Sequence, residues 1–262
     1  MIGIVGYGMV GRAQHRLFPD AVVCDEPLGL GSREEINQCE VVFVCVPTPM
    51  APDGSCDLST IEDVISWVRC SLIIIRSTIP PGTTDRLKRE YGKAIVFQPE
   101  HLGETPDHPL ADMRQRPFLI LGGERTDTNR AIQIYQQVYN ASVTMRQMSS
   151  IEAEMAKYLA NRHIAFKVAE CNEAYDLCQA LGIDWNIVRE AVYQDDPRMS
   201  PYWTFVYPEN RGFGGKCIPK DLNALCHLAR QMGIPLEISE KILKVNETWR
   251  VFSPDEELVV SG

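Results

Sequence analysis

The segment GFGGKCIPKD, residues 212–221, places one cysteine after three glycines and between two lysines. Glycine lets the backbone pass close to a ligand. The thiolate is the reactive form of cysteine, and a nearby cation such as Lys216 or Lys220 favours it. Cys217 is therefore a candidate nucleophile. The segment alone leaves a second interpretation open, in which Cys217 is packed in a turn and Asp221 caps the following helix.

A second group of polar residues lies in the segment AEMAKYLANRHIAFKVAECNEAYDL, which contains neither Gly nor Pro. Lys157 and Asn161 are four residues apart and share one helix face, with Glu154 on the same side. Asparagine is unfavourable inside a helix, so Asn161 indicates a specific role. A solvated face is the alternative, but Ala160 and Ala165 favour close packing around these groups.

The segment GYGMVG, residues 6–11, follows an apolar run and precedes a helical pattern, and Asp25 comes 19 residues after Gly6. This arrangement is typical of a dinucleotide-binding turn, in which the glycines allow a tight turn and a close pyrophosphate. Asp25 would bond the adenosine ribose and repel a 2′-phosphate, which favours NAD over NADP. The alternative is a turn that merely needs glycine. We expect cofactor contacts from Gly6, Gly8, Met9, Val10, Gly11 and Asp25.

Two further polar segments begin where predicted strands end. They are RSTIPPGTT, residues 76–84, and PEHLGE, residues 99–104. Ligands of doubly wound sheets bind at the carboxyl ends of the strands, so hydroxyl and carboxylate groups there are site candidates. Turn formation by Ser and Thr and solvent exposure of Glu100 are the structural alternatives.

Short apolar runs alternate with helical patterns through the first half of the chain. Predicted strands are IGIV 2–5, AVVC 21–24, VVFVCV 41–46, LIIIR 72–76, AIVF 94–97, PFLIL 117–121 and SVTM 142–145. Capping-box spacing occurs at Ser59–Glu62 and Ser149–Glu152, and Thr126 and Asp127 precede another helical segment. Helices are also predicted near Asp184 and after Asp221 and Pro235. The pattern predicts an α/β Rossmann-type doubly wound sheet, residues 1–146, then an all-α central domain with one helix of roughly 30 residues, 147–262.

The composition of the chain argues against several classes of function. The net charge of −9 argues against nonspecific binding to nucleic acid or to an anionic membrane surface. The nine cysteines include no CxxC pair, which is consistent with reduced thiols in the cytoplasm. The five histidines are dispersed along the sequence, so we do not expect a structural zinc site. No apolar run in the sequence is long enough to span a membrane, and we expect no cleavable leader before IGIVG. We expect a cytoplasmic protein with no bound metal.

Seven motifs together resemble the UDP-glucose/GDP-mannose dehydrogenase family over nearly all of residues 1–250. They are GYGMVG, CVPTP 45–49, STIPPGTT 77–84, PEHLGE 99–104, AEMAKYLANRHIAFKVAECNE, DPR 196–198 and GFGGKCIPKD. The resemblance implies two NAD-dependent oxidations that convert the C6 alcohol of a nucleotide sugar such as UDP-glucose to a uronate, a precursor in polysaccharide biosynthesis.

The resemblance implies roles at matched positions. Catalytic roles fall to Cys217, Lys157, Asn161, Asp221, Glu104 and Thr78. Further cofactor contacts fall to Val46, Pro47, Thr48, Ser77, Thr78 and Lys220. Substrate contacts fall to Glu100, Leu102, Glu104, Lys157, Asn161, Arg198, Phe213 and Gly214. Cys217 would form a thiohemiacetal and then a thioester, and Lys157 would stabilise the oxyanion. Glu104 would act as the general base for hydrolysis or as its assistant.

The chain departs from the family pattern in two places. Family members continue into a second Rossmann-like domain that binds the nucleoside diphosphate, whereas this sequence ends at Gly262. His101 and Thr105 replace the usual phenylalanine and glycine. A reduced dehydrogenase, a chain that needs a partner, and a non-catalytic module binding NAD and a sugar nucleotide all stay open, as does a single-step hydroxyacid-type dehydrogenase.

The resemblance also implies a homodimer. The long helix is the predicted interface, because its second half carries apolar residues on several sides. These residues are Ile164, Phe166, Val168 and Tyr175. Arg198 would then reach the sugar-nucleotide site of the neighbouring subunit.

Overall fold

The computed structural model describes residues 1–103, 110 and 112–250. The chain forms two compact units. The first contains Met1–Pro49 and Cys56–Lys157, and the second contains Met50–Ser55 and the described part of Tyr158–Gly262.

The first unit is built on a seven-stranded sheet. Its strands are β1 Ile2–Val5, β2 Val22–Cys24, β3 Val41–Val44, β4 Leu72–Ile75, β5 Ile95–Phe97, β6 Phe118–Gly122 and β7 Thr144–Met148. Their spatial order is β2-β1-β3-β4-β5-β6-β7, and all neighbours are parallel except β5 and β6. The sheet confirms the predicted, mostly parallel Rossmann-type fold. Because chain order reverses between β1 and β3, a ligand crevice is expected at their carboxyl ends.

Both faces of the sheet are covered, which explains the uninterrupted apolar runs. Every residue of β3 and β4 is buried. Val42, Val44 and Ile73 pack in one core cluster, whereas Phe43 and Ile74 pack in another. Strands buried on both sides gain from apolar residues at every position, so simple alternation is absent.

In the described part of the first unit, five α-helices cover this sheet. They are α1 Met9–Leu17, α2 Arg33–Ile36, α3 Ser59–Trp67, α4 Thr83–Tyr91 and α5 Arg125–Tyr135. The predicted cap at Ser59 is wrong, because Ser59 is already helical and its N–H is bound by Asp57 Oδ1 at 2.9 Å. The prediction that Thr126 and Asp127 precede α5 is wrong too, since both lie in its first turn.

Strand β7 begins and ends later than predicted. It includes Arg146 and Gln147, which pair with Ile120 and Leu121 of β6. An edge strand needs one hydrogen-bonded neighbour and no apolar pattern, so its polar end gave no strand signal.

Helix α6, Ser150–Leu181, is the predicted long helix and has 32 residues. Its capping box is confirmed. Glu152 Oε2 accepts from the Ser149 N–H at 2.8 Å, and Ser149 Oγ accepts from the Glu152 N–H at 3.4 Å. Gly182, in the left-handed region at φ 67°, follows its last residue.

The second unit continues with α7 Trp185–Arg189, α8 Ile218–Gln231 and α9 Glu237–Arg250. Asp184 caps α7, because its Oδ1 accepts from the Asn186 N–H at 2.8 Å. Helix α8 begins four residues earlier than predicted, and Asp221 is its fourth residue rather than its cap. Pro219 fits the first turn, where no backbone donor is needed.

Candidate active site

The glycine turn has the backbone that the sequence predicts. Gly6 has φ 90°, and a Cβ on Gly11 would lie 1.9 Å from the Gly6 carbonyl oxygen. A Cβ on Gly8 would meet nothing within 4 Å, although Gly8 directly precedes the first residue of α1. The turn therefore needs Gly6 and Gly11 for its own shape, whereas Gly8 leaves open space at a helix N-terminus.

The Asp25 carboxylate is hydrogen-bonded to the backbone of this glycine turn. Its Oδ2 accepts from the Tyr7 N–H at 2.6 Å, and its Oδ1 accepts from the Leu28 N–H at 3.1 Å. A carboxylate has about four acceptor positions, so two remain for a ribose. The open Gly8 position, the helix N-terminus and the fixed carboxylate fit the pyrophosphate and ribose of NAD.

The segment after β3 lies against the segment after β4. Ser77 Oγ donates to the Val46 carbonyl at 2.6 Å, and Thr48 Oγ1 donates to the Thr78 carbonyl at 2.8 Å. Val46, Thr48 and Ser77 are buried, and Pro47 between them is exposed. The structure therefore brings five of these predicted cofactor-binding residues to the carboxyl ends of adjacent strands.

Glu100 follows β5 and is buried among cations. Its carboxylate pairs with the guanidinium groups of Arg76 and Arg116, which are 1% and 2% exposed. It also accepts from the N–H groups of His101 at 2.7 Å and Leu102 at 2.5 Å. Both oxygens are thus engaged within the first unit. The Glu100 carboxylate therefore holds the backbone of residues 101–102, and its contact with substrate stays a prediction.

His101 lies over the ring of Phe118, with ring centroids 5.4 Å apart. Burial, and after it the positive charge of Lys157, lowers the pKa of His101 to about 3. The imidazole is therefore neutral at physiological pH. Arg116 and Arg76 contribute to the same lowering of the His101 pKa, so this part of the first unit has a positive potential.

Glu154 and Lys157 are both buried on α6, and Glu154 has a structural partner. Its Oε1 accepts from the Thr84 N–H at 2.8 Å and from Thr84 Oγ1 at 2.6 Å, and its Oε2 accepts from the Gly82 N–H at 2.6 Å. Glu154 thus caps the N-terminus of α4. Burial nevertheless raises the pKa of Glu154 to about 7.

The second unit brings Asn161, Lys220 and Asp221 together. Asn161 Nδ2 donates to Asp221 Oδ2 at 2.5 Å, and Lys220 Nζ lies 2.7 Å from Asp221 Oδ1. Asp221 is 1% exposed and Asn161 is 6% exposed. An asparagine amide and an ammonium group together hold this buried carboxylate.

Cys217 is one helical turn from this cluster. It is exposed, it occupies the residue before α8, and its carbonyl accepts from the Asp221 N–H at 2.9 Å. The N-terminus of a helix favours negative charge. An exposed thiol at that end is placed for the chemistry of a thiolate.

Three other predicted substrate-site residues lie in the second unit. Phe213 is 3% exposed and packs against Ala165 and Leu222, so its side chain belongs to the core. Gly214 faces the guanidinium of Arg250, where a Cβ would lie 2.9 Å from Cζ. The Arg198 side chain is 82% exposed and paired with Asp196. The predicted base Glu104 lies outside the described residues.

Sequence reasoning missed the structural roles of Arg76, Arg116 and Asn246. Arg76 gave a signal, since it is a charged residue that closes the apolar run LIIIR. Asn246 gave the same signal as Asn161, an asparagine inside a helix. Arg116 gave none, because nothing in its neighbourhood distinguishes it from a surface arginine.

Across the described residues, no helix combines the length and the hydropathy needed to cross a membrane.

Two family models match the chain. Residues 28–143 match the NAD-binding domain of the UDP-glucose/GDP-mannose dehydrogenase family, and residues 151–248 match its central domain.

Characterised relatives agree with these matches. The chain is 32% identical over 222 residues to UDP-glucose 6-dehydrogenase of Pseudomonas aeruginosa, covering 78% of this chain and 48% of the relative. It is 28% identical over 235 residues to GDP-mannose 6-dehydrogenase of Pseudomonas putida, covering 82% and 52%. The chain thus spans about half the length of the curated relatives it matches.

A solved structure shares the fold. A UDP-glucose dehydrogenase from the archaeon Pyrobaculum islandicum is 28% identical and superimposes with a TM-score of 0.78. The match covers 94% of this chain and 68% of that one.

Proposed function

Because the chain belongs to the UDP-glucose/GDP-mannose dehydrogenase family, whose NAD-binding domain it contains, we propose that it oxidises the C6 alcohol of a nucleotide sugar to a carboxylate. The observation that carries the proposal is the grouping of Asn161, Lys220 and Asp221 one turn from Cys217. A hydroxyacid-type dehydrogenase needs no thiol, so this grouping favours a covalent route.

The proposed reaction has four steps. The C6 alcohol loses a proton and a hydride to give an aldehyde. The Cys217 thiolate adds to the aldehyde carbon and forms a C–S bond. The resulting thiohemiacetal loses a second hydride to give a thioester. Water then attacks the thioester, the C–S bond breaks, and the carboxylate and the thiol are released. NAD, when bound, accepts a hydride in each oxidation, so two NAD molecules are consumed.

The residues of this chain supply the polar environment for these steps. Lys157 stabilises the alkoxide and the thiohemiacetal oxyanion, with Asn161 beside it on α6. Asp221 and Thr78 position the hydrolytic water, and Glu104 accepts its proton. Lys220 pairs with Asp221, and we assign its ammonium group a contact with the cofactor. Glu100 fixes the backbone at Leu102 for substrate contacts.

Assembly and location complete the proposal. We propose a homodimer through α6, supported by Leu177 and Leu181, which are 61% and 65% exposed on that helix. Arg198 then extends toward the site of the partner subunit. No cysteine of the described chain is in a disulfide, which supports a reducing compartment such as the cytoplasm, with the uronate as a polysaccharide precursor.

Counting NADH per sugar nucleotide tests the proposal. We expect two NADH for one of UDP-glucose, GDP-mannose or an N-acetylhexosamine nucleotide. Cys217→Ser should lower turnover at least about a thousandfold, because the serine hydroxyl group cannot form a thioester. Cys178→Ser, at a buried cysteine of the same unit, should retain wild-type activity and controls for the chemical change.

The same assay separates the alternatives. One NADH per substrate, unaffected by Cys217→Ser, would indicate a single-step dehydrogenase. NAD binding without oxidation of any sugar nucleotide would indicate a binding module or a chain that requires a partner.

A further inference from the structure

The loop that leads to Cys217 contains a buried phenylalanine between glycines with an unusual backbone conformation. Gly212 and Gly215 have φ 74° and 73°, in the left-handed region that favours glycine. Between them Phe213 is buried against Ala165 and Leu222. The conformation of this loop therefore depends on what fixes the backbone around Phe213.

Two buried asparagines fix that backbone from different helices. Asn172 of α6 accepts through Oδ1 from Arg211 Nε at 2.6 Å and from the Gly212 N–H at 3.2 Å. Asn246 of α9 accepts through Oδ1 from the Phe213 N–H at 2.7 Å and donates through Nδ2 to the Phe213 carbonyl at 2.8 Å. Asn246 thus pairs with both polar groups of one residue, as a neighbouring strand would.

Gly212 is shaped to receive this amide. A Cβ at residue 212 would lie 2.4 Å from Asn246 Oδ1. Asn246 is 6% exposed, so water does not compete for its bonds. A buried asparagine inside a helix carries a propensity cost, and both of its side-chain groups are used here on the loop.

We propose that Asn246 is the positioning residue of the Cys217 loop. Its amide sets the backbone of Phe213, and the glycines at 214 and 215 then carry the chain in one conformation to Cys217 at the start of α8. The catalytic consequence, though not the loop geometry, rests on the proposed function. Without the amide, the glycine segment samples other conformations and the thiol loses its alignment with Asn161 and Asp221.

Hydrogen exchange and kinetics on the 262-residue protein test this inference. In Asn246→Ala, the peptide covering residues 211–216 should exchange at least about tenfold faster, while peptides inside α8 keep their protection. The kcat for sugar oxidation should fall about tenfold with an unchanged Kd for NAD. Glu247→Ala, at the exposed neighbouring position on α9, should match the wild type in every measurement.

Asn246→Asp gives a second variant of the same size if the alanine variant does not fold. It keeps an acceptor for the Phe213 N–H but sets an oxygen against the Phe213 carbonyl, so loop exchange should rise about threefold or more.

Each contrary result overturns the inference. Unchanged loop exchange would show that Asn246 does not hold the loop. Equal acceleration in the loop and in α8 would show general destabilisation, and a faster loop with an unchanged kcat would show that loop order does not position Cys217. If the wild type oxidises no sugar nucleotide, the proposed function fails, but the exchange measurement still decides whether Asn246 holds the loop.

Discussion

Gly8 and Gly11 belong to the same turn but have different surroundings, and this difference allows a test of the NAD site. Ala at Gly8 meets nothing within 4 Å, so Gly8→Ala should fold with a Tm close to that of the wild type. Its methyl group would occupy the space that a pyrophosphate needs. We expect NAD affinity to fall at least about tenfold, since phosphate binding at a helix N-terminus depends on close approach to the backbone. Titration of NAD by calorimetry measures the change.

Gly11→Ala is the matched comparison. A Cβ there would lie 1.9 Å from the Gly6 oxygen, so the helix and the strand must separate. This variant should lose thermal stability before any effect on NAD is considered. If Gly8→Ala binds NAD as tightly as the wild type, the pyrophosphate does not lie against Gly8 and the assignment of the turn is wrong.

The role of a residue was predictable from the sequence where its neighbours along the chain determine that role. The glycine turn and Asp25 follow a fixed spacing, and the structure joins them through the Tyr7 N–H. Glu100 was different, because its partners Arg76 and Arg116 are 24 and 16 residues away. A carboxylate that looks like a ligand group in sequence is a buried ion-pair centre once distant cations are brought to it.

At the scale of elements, two capping boxes show where sequence reasoning holds. Ser149 and Glu152 bond each other at the start of α6, as their spacing predicts. Ser59 and Glu62 have the same spacing, but Asp57 binds the first N–H and Glu62 pairs with Arg86 instead. A local motif is decisive only when no other side chain competes for the same donors.

Glu154 links two helices and gives the first unit a pH dependence. Its pKa is raised from 4.5 to about 7 in the folded state, so the folded protein binds a proton that the unfolded chain releases. The resulting stability is present in full below the unfolded pKa and is lost as the pH rises through about 7. Between pH 6 and pH 8 this group should remove about 1.4 kcal/mol from the free energy of unfolding.

Urea unfolding of wild type and Glu154→Gln at these two pH values measures the effect. The glutamine variant should be less stable throughout, because its NH₂ group faces the donors at Gly82 or Thr84, and it should lack the wild-type loss of stability. Glu173→Gln, at an exposed position on α6, should keep the wild-type profile. Equal pH dependence in wild type and Glu154→Gln would mean that Glu154 stays ionised and that its three hydrogen bonds outweigh burial.

For the whole molecule, the order of strands and helices was easier to predict than the contacts that build the site. Apolar runs such as VVFV and LIII report burial on both faces, and that is enough to place them in the centre of a doubly covered sheet. The pairing of Asn161 with Asp221 joins residues 60 positions apart. No local pattern reports such a pair, although an asparagine within a helix indicated that a partner exists.

The proposed dimer makes a prediction that a single chain cannot satisfy. Cys217→Ser and Arg198→Ala should each lack activity, because one removes the nucleophile and the other an arginine that we assign to the partner's site. In a two-fold dimer, a mixed pair contains one site with both native residues. Equal mixing with free subunit exchange should therefore restore about a quarter of the wild-type activity.

Light scattering should report two chains per particle, and Arg198→Lys should keep the charge but lose the planar fork. If the particle is a dimer and mixing restores nothing, Arg198 acts within its own subunit. If the particle is a monomer, both the interface on α6 and the shared site are wrong.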